Sequence, residues 1–121
     1  MCAIFEKRVL IVDDEDLIRD YLALFFSFNG YEAFTAGDGR EALKILQNRP
    51  FNLLITDMNM PVMNGIELIR EVRNLNMTII IIGMSLEDNK YAFLKAGTDY
   101  FLSKPFDSGY LKSILSSIFQ K

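Results

Sequence analysis

Five polar residues of this 121-residue chain stand where apolar runs stop. Asp13 and Asp14 follow Val9-Leu10-Ile11-Val12, Asp57 follows Leu53-Leu54-Ile55-Thr56, Ser85 follows Met84, and Lys104 follows Tyr100-Phe101-Leu102-Ser103. Brought together, three carboxylates repel one another unless they are protonated, hydrated or bridged by a cation. Oxygen donors without His or Cys suit Mg2+, which keeps several waters and takes one or two carboxylates from a protein. Asn59, two residues beyond Asp57, offers its backbone carbonyl as a further oxygen ligand. A cation, the Ser85 hydroxyl and the Lys104 ammonium around one carboxylate would hold a dianionic phosphoryl group. Asp57 is then the nucleophile, forming an acyl phosphate. The plainer alternatives are an aspartate that caps a turn, an ordinary surface lysine, and an acidic helix start favoured by the helix dipole. The dipole accounts for Asp16 and Glu15 but poorly for Asp13 and Asp14, which abut the strand.

The elements that must position these groups alternate. Val9 to Val12 reads as a strand buried on both faces, because it is a continuous, β-branched-rich run. From Leu17 the apolar positions 17, 18, 21, 22, 24, 25 and 28 predict a helix with a broad buried face, capped by Asn29-Gly30. Tyr31 to Ala36 is a second, less apolar strand, expected near a sheet edge. The turn Gly37-Asp38-Gly39 leads to a helix over Arg40 to Asn48, with Ala42, Leu43, Ile45 and Leu46 inward and Pro50 beyond it. Leu53 to Ile55 opens the third strand. Pro61 and Asn64-Gly65 make the turn after Asp57, and Ile66, Leu68, Ile69 and Val72 mark a third helix running out near Asn74 to Asn76. Met77 to Met84 is the most hydrophobic strand and is expected to be central. Glu87 to Ala96 is a short helix ending at Gly97, and Tyr100 to Ser103 a fifth strand. Asp107 or Ser108 starts a last helix with Leu111, Ile114, Leu115, Ile118 and Phe119 inward. Strands alternating with helices predict an α/β, doubly wound, five-stranded parallel sheet of order 2-1-3-4-5, with five flanking helices. Its switch point, where such folds bind ligands, falls between the first and third strands. Those strands end on Asp13-Asp14 and on Asp57.

The length fits one domain, residues 1–121. A formal net charge of −3 with no basic run argues against direct contact with nucleic acid. A single cysteine, Cys2, makes no internal disulfide and fits a reducing, cytoplasmic setting. No apolar run reaches membrane-spanning length, so no membrane insertion is expected.

Val12-Asp13-Asp14-Glu15, Asp57-Met58-Asn59-Met60-Pro61 with Gly65, Ser85, and Lys104-Pro105-Phe106, in this order and each at a strand end, resemble the receiver domain of two-component response regulators. The resemblance covers essentially the whole chain. It implies a CheY-like, flavodoxin-type fold with Asp57 as phosphoacceptor and Asp13 and Asp14 holding Mg2+. By the same match Lys104 pairs with the phosphoryl group, Ser85 is the switch hydroxyl and Phe101 the switch aromatic. It implies a phosphorylation switch loaded by a histidine kinase or histidine phosphotransfer protein and signalling to a downstream protein. The chain has no histidine of its own, so the donor imidazole comes from another protein unless a small phosphodonor serves. No catalysis beyond self-phosphorylation and self-dephosphorylation is expected. Ser85 and Lys104 stand 19 positions apart, fewer than the resemblance leads one to expect, which places a deletion in the fourth helix or its flanking loops. Leu86 replaces a small residue and is expected to narrow access to Asp57. Asn59 and Glu87 occupy positions that tune acyl-phosphate hydrolysis in the family.

Rival readings differ in class. A flavodoxin-type electron carrier needs a Ser/Thr/Gly loop after the first strand to bind the flavin phosphate, where this chain has four acids. An aspartyl phosphatase usually carries a second acid two residues after the nucleophile, where this chain has Asn59. A receiver fold kept only as an adaptor has no use for an intact Asp13, Asp14, Asp57, Ser85 and Lys104. The chain is expected either to stand alone or to be a receiver excised from a larger response regulator or hybrid kinase.

Overall fold

The computed structural model describes residues 7–86, 90–106 and 108–119. Five strands, β1 (Lys7–Val12), β2 (Tyr31–Ala36), β3 (Leu53–Asp57), β4 (Ile80–Ser85) and β5 (Tyr100–Ser103), form one parallel sheet in the order β2-β1-β3-β4-β5. The helices α1 (Asp16–Phe28), α2 (Gly39–Asn48), α3 (Gly65–Asn74), α4 (Lys90–Ala96) and α5 (Ser108–Phe119) follow them in turn. Alternate residues of each strand point to opposite faces, and both faces are covered. Val9, Ile11, Leu53, Ile55, Ile82, Met84 and Leu102 pack against α1 and α5. Leu10, Val12, Leu54 and Ile81 pack against α2, α3 and α4. This double burial is why the strands read as unbroken apolar runs. No helix of the described residues is long and apolar enough to cross a membrane.

Two expectations need correction. β4 begins at Ile80 rather than Met77 and takes in Ser85; it lies inside the sheet between β3 and β5, while β3 is the central strand. The α1 face that meets the sheet is Ile18, Leu22, Phe25 and Phe26. Leu17, Tyr21, Leu24 and Phe28 are exposed, Phe28 at 86 %. Apolar residues occupy two stripes of this helix, and only one can face a sheet. Of the expectations for the last two helices, the start at Glu87, the start at Asp107 and the inward side chain of Phe119 lie outside the described residues.

The turn after β3 is tightly determined. Asn64 caps α3 by accepting the Glu67 N–H, and Glu67 reaches back to the Asn64 N–H, a capping box. Within this turn Val62 has φ +70°, a left-handed conformation that crowds a β-branched side chain. Its side chain is 70 % exposed and contributes little packing. Val62→Asn is therefore expected to stabilise the fold by about 1 kcal/mol, since Asn visits this region readily. Urea denaturation checks this, and an unchanged or lower midpoint counts against strain at Val62.

Candidate phosphoacceptor site

The C-terminal ends of β1, β3, β4 and β5 bring the five polar residues to one edge of the sheet. Asp13 leaves β1 fully buried, its backbone N–H donating to the Ala36 carbonyl at 3.2 Å. One Asp13 carboxylate oxygen accepts the Glu15 N–H at 3.0 Å, and the other accepts from Lys104 Nζ at 2.8 Å. Asp14, the next residue, is exposed. Asp57 closes β3 at 7 % exposure, with Oδ1 3.1 Å from Lys104 Nζ. One carboxylate oxygen each from Asp13, Asp14 and Asp57 lies within 4.8 Å of the others. Ser85 is fully buried at the end of β4, and its carbonyl accepts the Lys104 N–H at 2.8 Å. All five are thus assembled as the order of strands requires.

Of the other expected residues, one lies on the turn after Asp57 and one within β5. Asn59 is exposed on the turn two residues beyond Asp57. Phe101 is half-buried on β5, its ring centroid 5.8 Å from that of Phe93. Leu86, directly after β4, is 75 % exposed. Glu87 lies outside the described residues.

Sequence reasoning missed two supports. Arg19 donates from Nη1 to the Asp13 carbonyl at 2.6 Å and pairs through Nη2 with Asp16, pinning the loop after β1. The spacing of Asp16 and Arg19, one helical turn, was the available signal. Gly65 was legible as a turn residue, but the reason it must be glycine is a close approach. A Cβ there would collide with the Asp57 carbonyl oxygen, and its N–H donates to the Met58 carbonyl at 2.9 Å.

Burial raises the pKa of Asp57 above the ordinary carboxylate value and the neighbouring Asp13 charge adds to this, while Lys104 opposes both. Burial pulls the Lys104 ammonium down, but its hydrogen bond to Asp13 and the charges of Asp13 and Asp57 outweigh that and leave its pKa raised. The two consequences share one sign and differ only in their pH window. Folded Asp57 holds its proton more tightly than the unfolded chain does. It favours folding at low pH, and this is lost as pH rises from the ordinary carboxylate range through the raised pKa. Lys104 favours folding below the ordinary lysine pKa and loses that contribution as pH rises through its raised one.

The donor set is all oxygen, one exposed and two buried carboxylates, which fits a hard divalent cation better than a soft one. Lys104→Met removes the ammonium and leaves two buried carboxylates opposed. It is expected to cost about 3 kcal/mol at neutral pH, with Asp57 titrating higher still. The deficit shrinks as pH falls through that titration, because protonation removes the repulsion. Carboxyl 13C shifts and urea denaturation at neutral and acidic pH check this; an Asp57 titration unmoved by the substitution contradicts it.

A family model described as the response regulator receiver domain matches residues 9–116. The sensor histidine kinase RcsC of Salmonella typhimurium is 35 % identical over 114 residues, covering 92 % of this chain and 12 % of the kinase. The transcriptional regulatory protein CrdR of Helicobacter pylori is 35 % identical over 119 residues, covering 94 % of this chain and 55 % of that protein. The chain therefore spans about half, or far less, of the length of these relatives. Among solved structures, the chemotaxis response regulator CheY4 of Vibrio cholerae superposes with a TM-score of 0.88 at 34 % identity, covering 95 % of this chain and 100 % of that one.

Proposed function

The chain belongs to the response regulator receiver family, whose members are phosphoryl-accepting signalling switches, and we propose that Asp57 is the phosphoacceptor of this one. The observation that carries the reading is the shared ammonium: Lys104 Nζ bridges Asp13 and Asp57, with Asp14 alongside. An Asp57 oxygen attacks the phosphorus of a phosphohistidine on a histidine kinase or phosphotransfer protein. An O–P bond forms as the N–P bond breaks, and the imidazole leaves with the electron pair. Lys104 then turns its charge from the carboxylates to the incoming phosphoryl oxygens, and the Ser85 hydroxyl lies at the neighbouring strand end to donate a hydrogen bond. Asp13, Asp14 and Asp57, with the Asn59 carbonyl, would hold Mg2+, which supplies charge neutralisation around the transferring group. The only turnover proposed is self-phosphorylation and self-dephosphorylation, within a single receiver domain over residues 1–121 working in the cytoplasm.

The output is proposed to leave from the face of α4, β5 and α5 toward a downstream protein rather than nucleic acid or membrane. Ser85 and Lys104 end the two strands at that face, and Phe101 is the proposed switch aromatic. A groove of about 700 Å³ opens there, lined in part by Lys90, Leu94, Phe101, Phe106 and Tyr110.

Incubation with acetyl phosphate and Mg2+ is expected to add one phosphoryl mass, none without the divalent cation, and none in Asp57→Asn. Full labelling of Asp57→Asn means another residue is the acceptor. For the metal, Asp14→Ala is expected to weaken Mg2+ binding about tenfold or more while raising stability in its absence by about 0.5 kcal/mol, because one like charge leaves an exposed position in the cluster. Mg2+ titrations followed by thermal melts read both, since a ligand that binds only the folded state raises the melting temperature. Unchanged Mg2+ affinity removes Asp14 from the metal site.

A further inference from the structure

Of the seven residues of α4, only Phe93 and Ala96 are buried. Beneath the helix, Ile81, Gly83 and Ser85 share one face of β4, since alternate strand residues point the same way. Gly83 leaves a gap in that row, and the Phe93 ring fills it: a Cβ on Gly83 would lie 2.6 Å from Phe93 Cδ1. Gly83 is also the register partner of Phe101 on β5. The Phe93 and Phe101 rings meet at 5.8 Å with planes 47° apart, within the range where aromatic pairs attract. Volume missing from the strand is thus supplied by the helix, beside the proposed switch aromatic and two residues from Ser85.

The same residue closes the helix. The Phe93 carbonyl accepts the N–H groups of Gly97 at 3.1 Å and Thr98 at 3.2 Å. The buried Thr98 hydroxyl finds no hydrogen-bond partner among the described residues, a destabilising feature at the helix end. α4 therefore rests on one aromatic plug and one small residue, with a polar cost beside them.

We propose that Phe93 is the coupling residue of this chain, carrying a change at Ser85 to α4, so that phosphorylation is read as the unseating of that helix. The inference rests on the reading of Asp57 as phosphoacceptor. A Ser85 hydroxyl drawn toward Asp57 frees volume on this face of β4. Phe101 turns into it, and the Phe93 ring, packed on Gly83 and against Phe101, leaves its seat. Close-packed interiors pass such a displacement on as a discrete repacking rather than absorbing it.

The test uses Mg2+ with beryllofluoride, a phosphoryl mimic, on the whole chain, Phe93→Leu, and the double variant Gly83→Ala/Phe93→Ala, which moves volume from helix to strand. Fluorine NMR reads beryllofluoride on Asp57, and amide exchange reads residues 90–96. The unsubstituted chain is expected to show about tenfold or more change in α4 exchange on binding, within the usual span of allosteric coupling. Both variants are expected to bind beryllofluoride and to show a change below about twofold, whatever their basal exchange. If Phe93→Leu binds and keeps the full change, Phe93 is not the coupling residue. If the unsubstituted chain shows no bound beryllofluoride, the phosphoacceptor reading itself fails and this inference goes with it.

Discussion

The structure depends on one charge arrangement: an ammonium that enters from β5, passes the end of β4, and sits between the carboxylates of β1 and β3. Two buried carboxylates in contact range repel strongly in a low-dielectric setting. The Lys104 side chain, 9 % exposed, offsets that repulsion at 2.8 and 3.1 Å. Because such a pair is costly to break, it fixes the ends of three strands relative to one another. The compensation is incomplete: burial first, and the Asp13 charge second, hold the Asp57 pKa above the ordinary carboxylate value against the pull of Lys104. A site left short of positive charge is a site prepared for a cation, and an ammonium already in place is prepared to meet an anion. Stability and chemistry therefore draw on the same three side chains.

Much of this was legible because it rests on periodicity and on where polar residues interrupt it. Runs such as Val9 to Val12 and Leu53 to Ile55 could only be strands buried on both faces, and their order places Asp13 and Asp57 together without any knowledge of contacts. Helix α1 was less legible. Leu17, Tyr21, Leu24 and Phe28 form a second apolar stripe as regular as the buried one, and periodicity alone does not say which of two stripes meets the sheet. The start of β4 was blurred for a related reason. Met77 and Ile79 are apolar and pack against the core from the connecting loop, so hydrophobicity continues where strand pairing does not.

Glycine carried information that a turn propensity could not express. Gly65 lies against the Asp57 carbonyl, Gly39 against the Met63 backbone, and Gly83 under the Phe93 ring. Each is a place where two elements approach more closely than a Cβ allows. Two of these join the turn after Asp57 to its surroundings, and the third joins the interior of the sheet to α4. The short separation between Ser85 and Lys104 takes on a physical meaning here: a seven-residue α4 keeps its place because one aromatic reaches into the space a strand residue has left. Local brevity is compensated by a single deep contact, which also makes that contact the point of greatest sensitivity.

The switch turns on whether Lys104 changes partners when Asp57 carries a phosphoryl group. A crystal structure of the chain with Mg2+ and beryllofluoride addresses this directly. The expected result is beryllium bonded to an Asp57 carboxylate oxygen, with Lys104 Nζ hydrogen-bonded to a fluorine and withdrawn from Asp13. An adduct on any other residue, or Lys104 still paired with Asp13 beside a loaded Asp57, would contradict it.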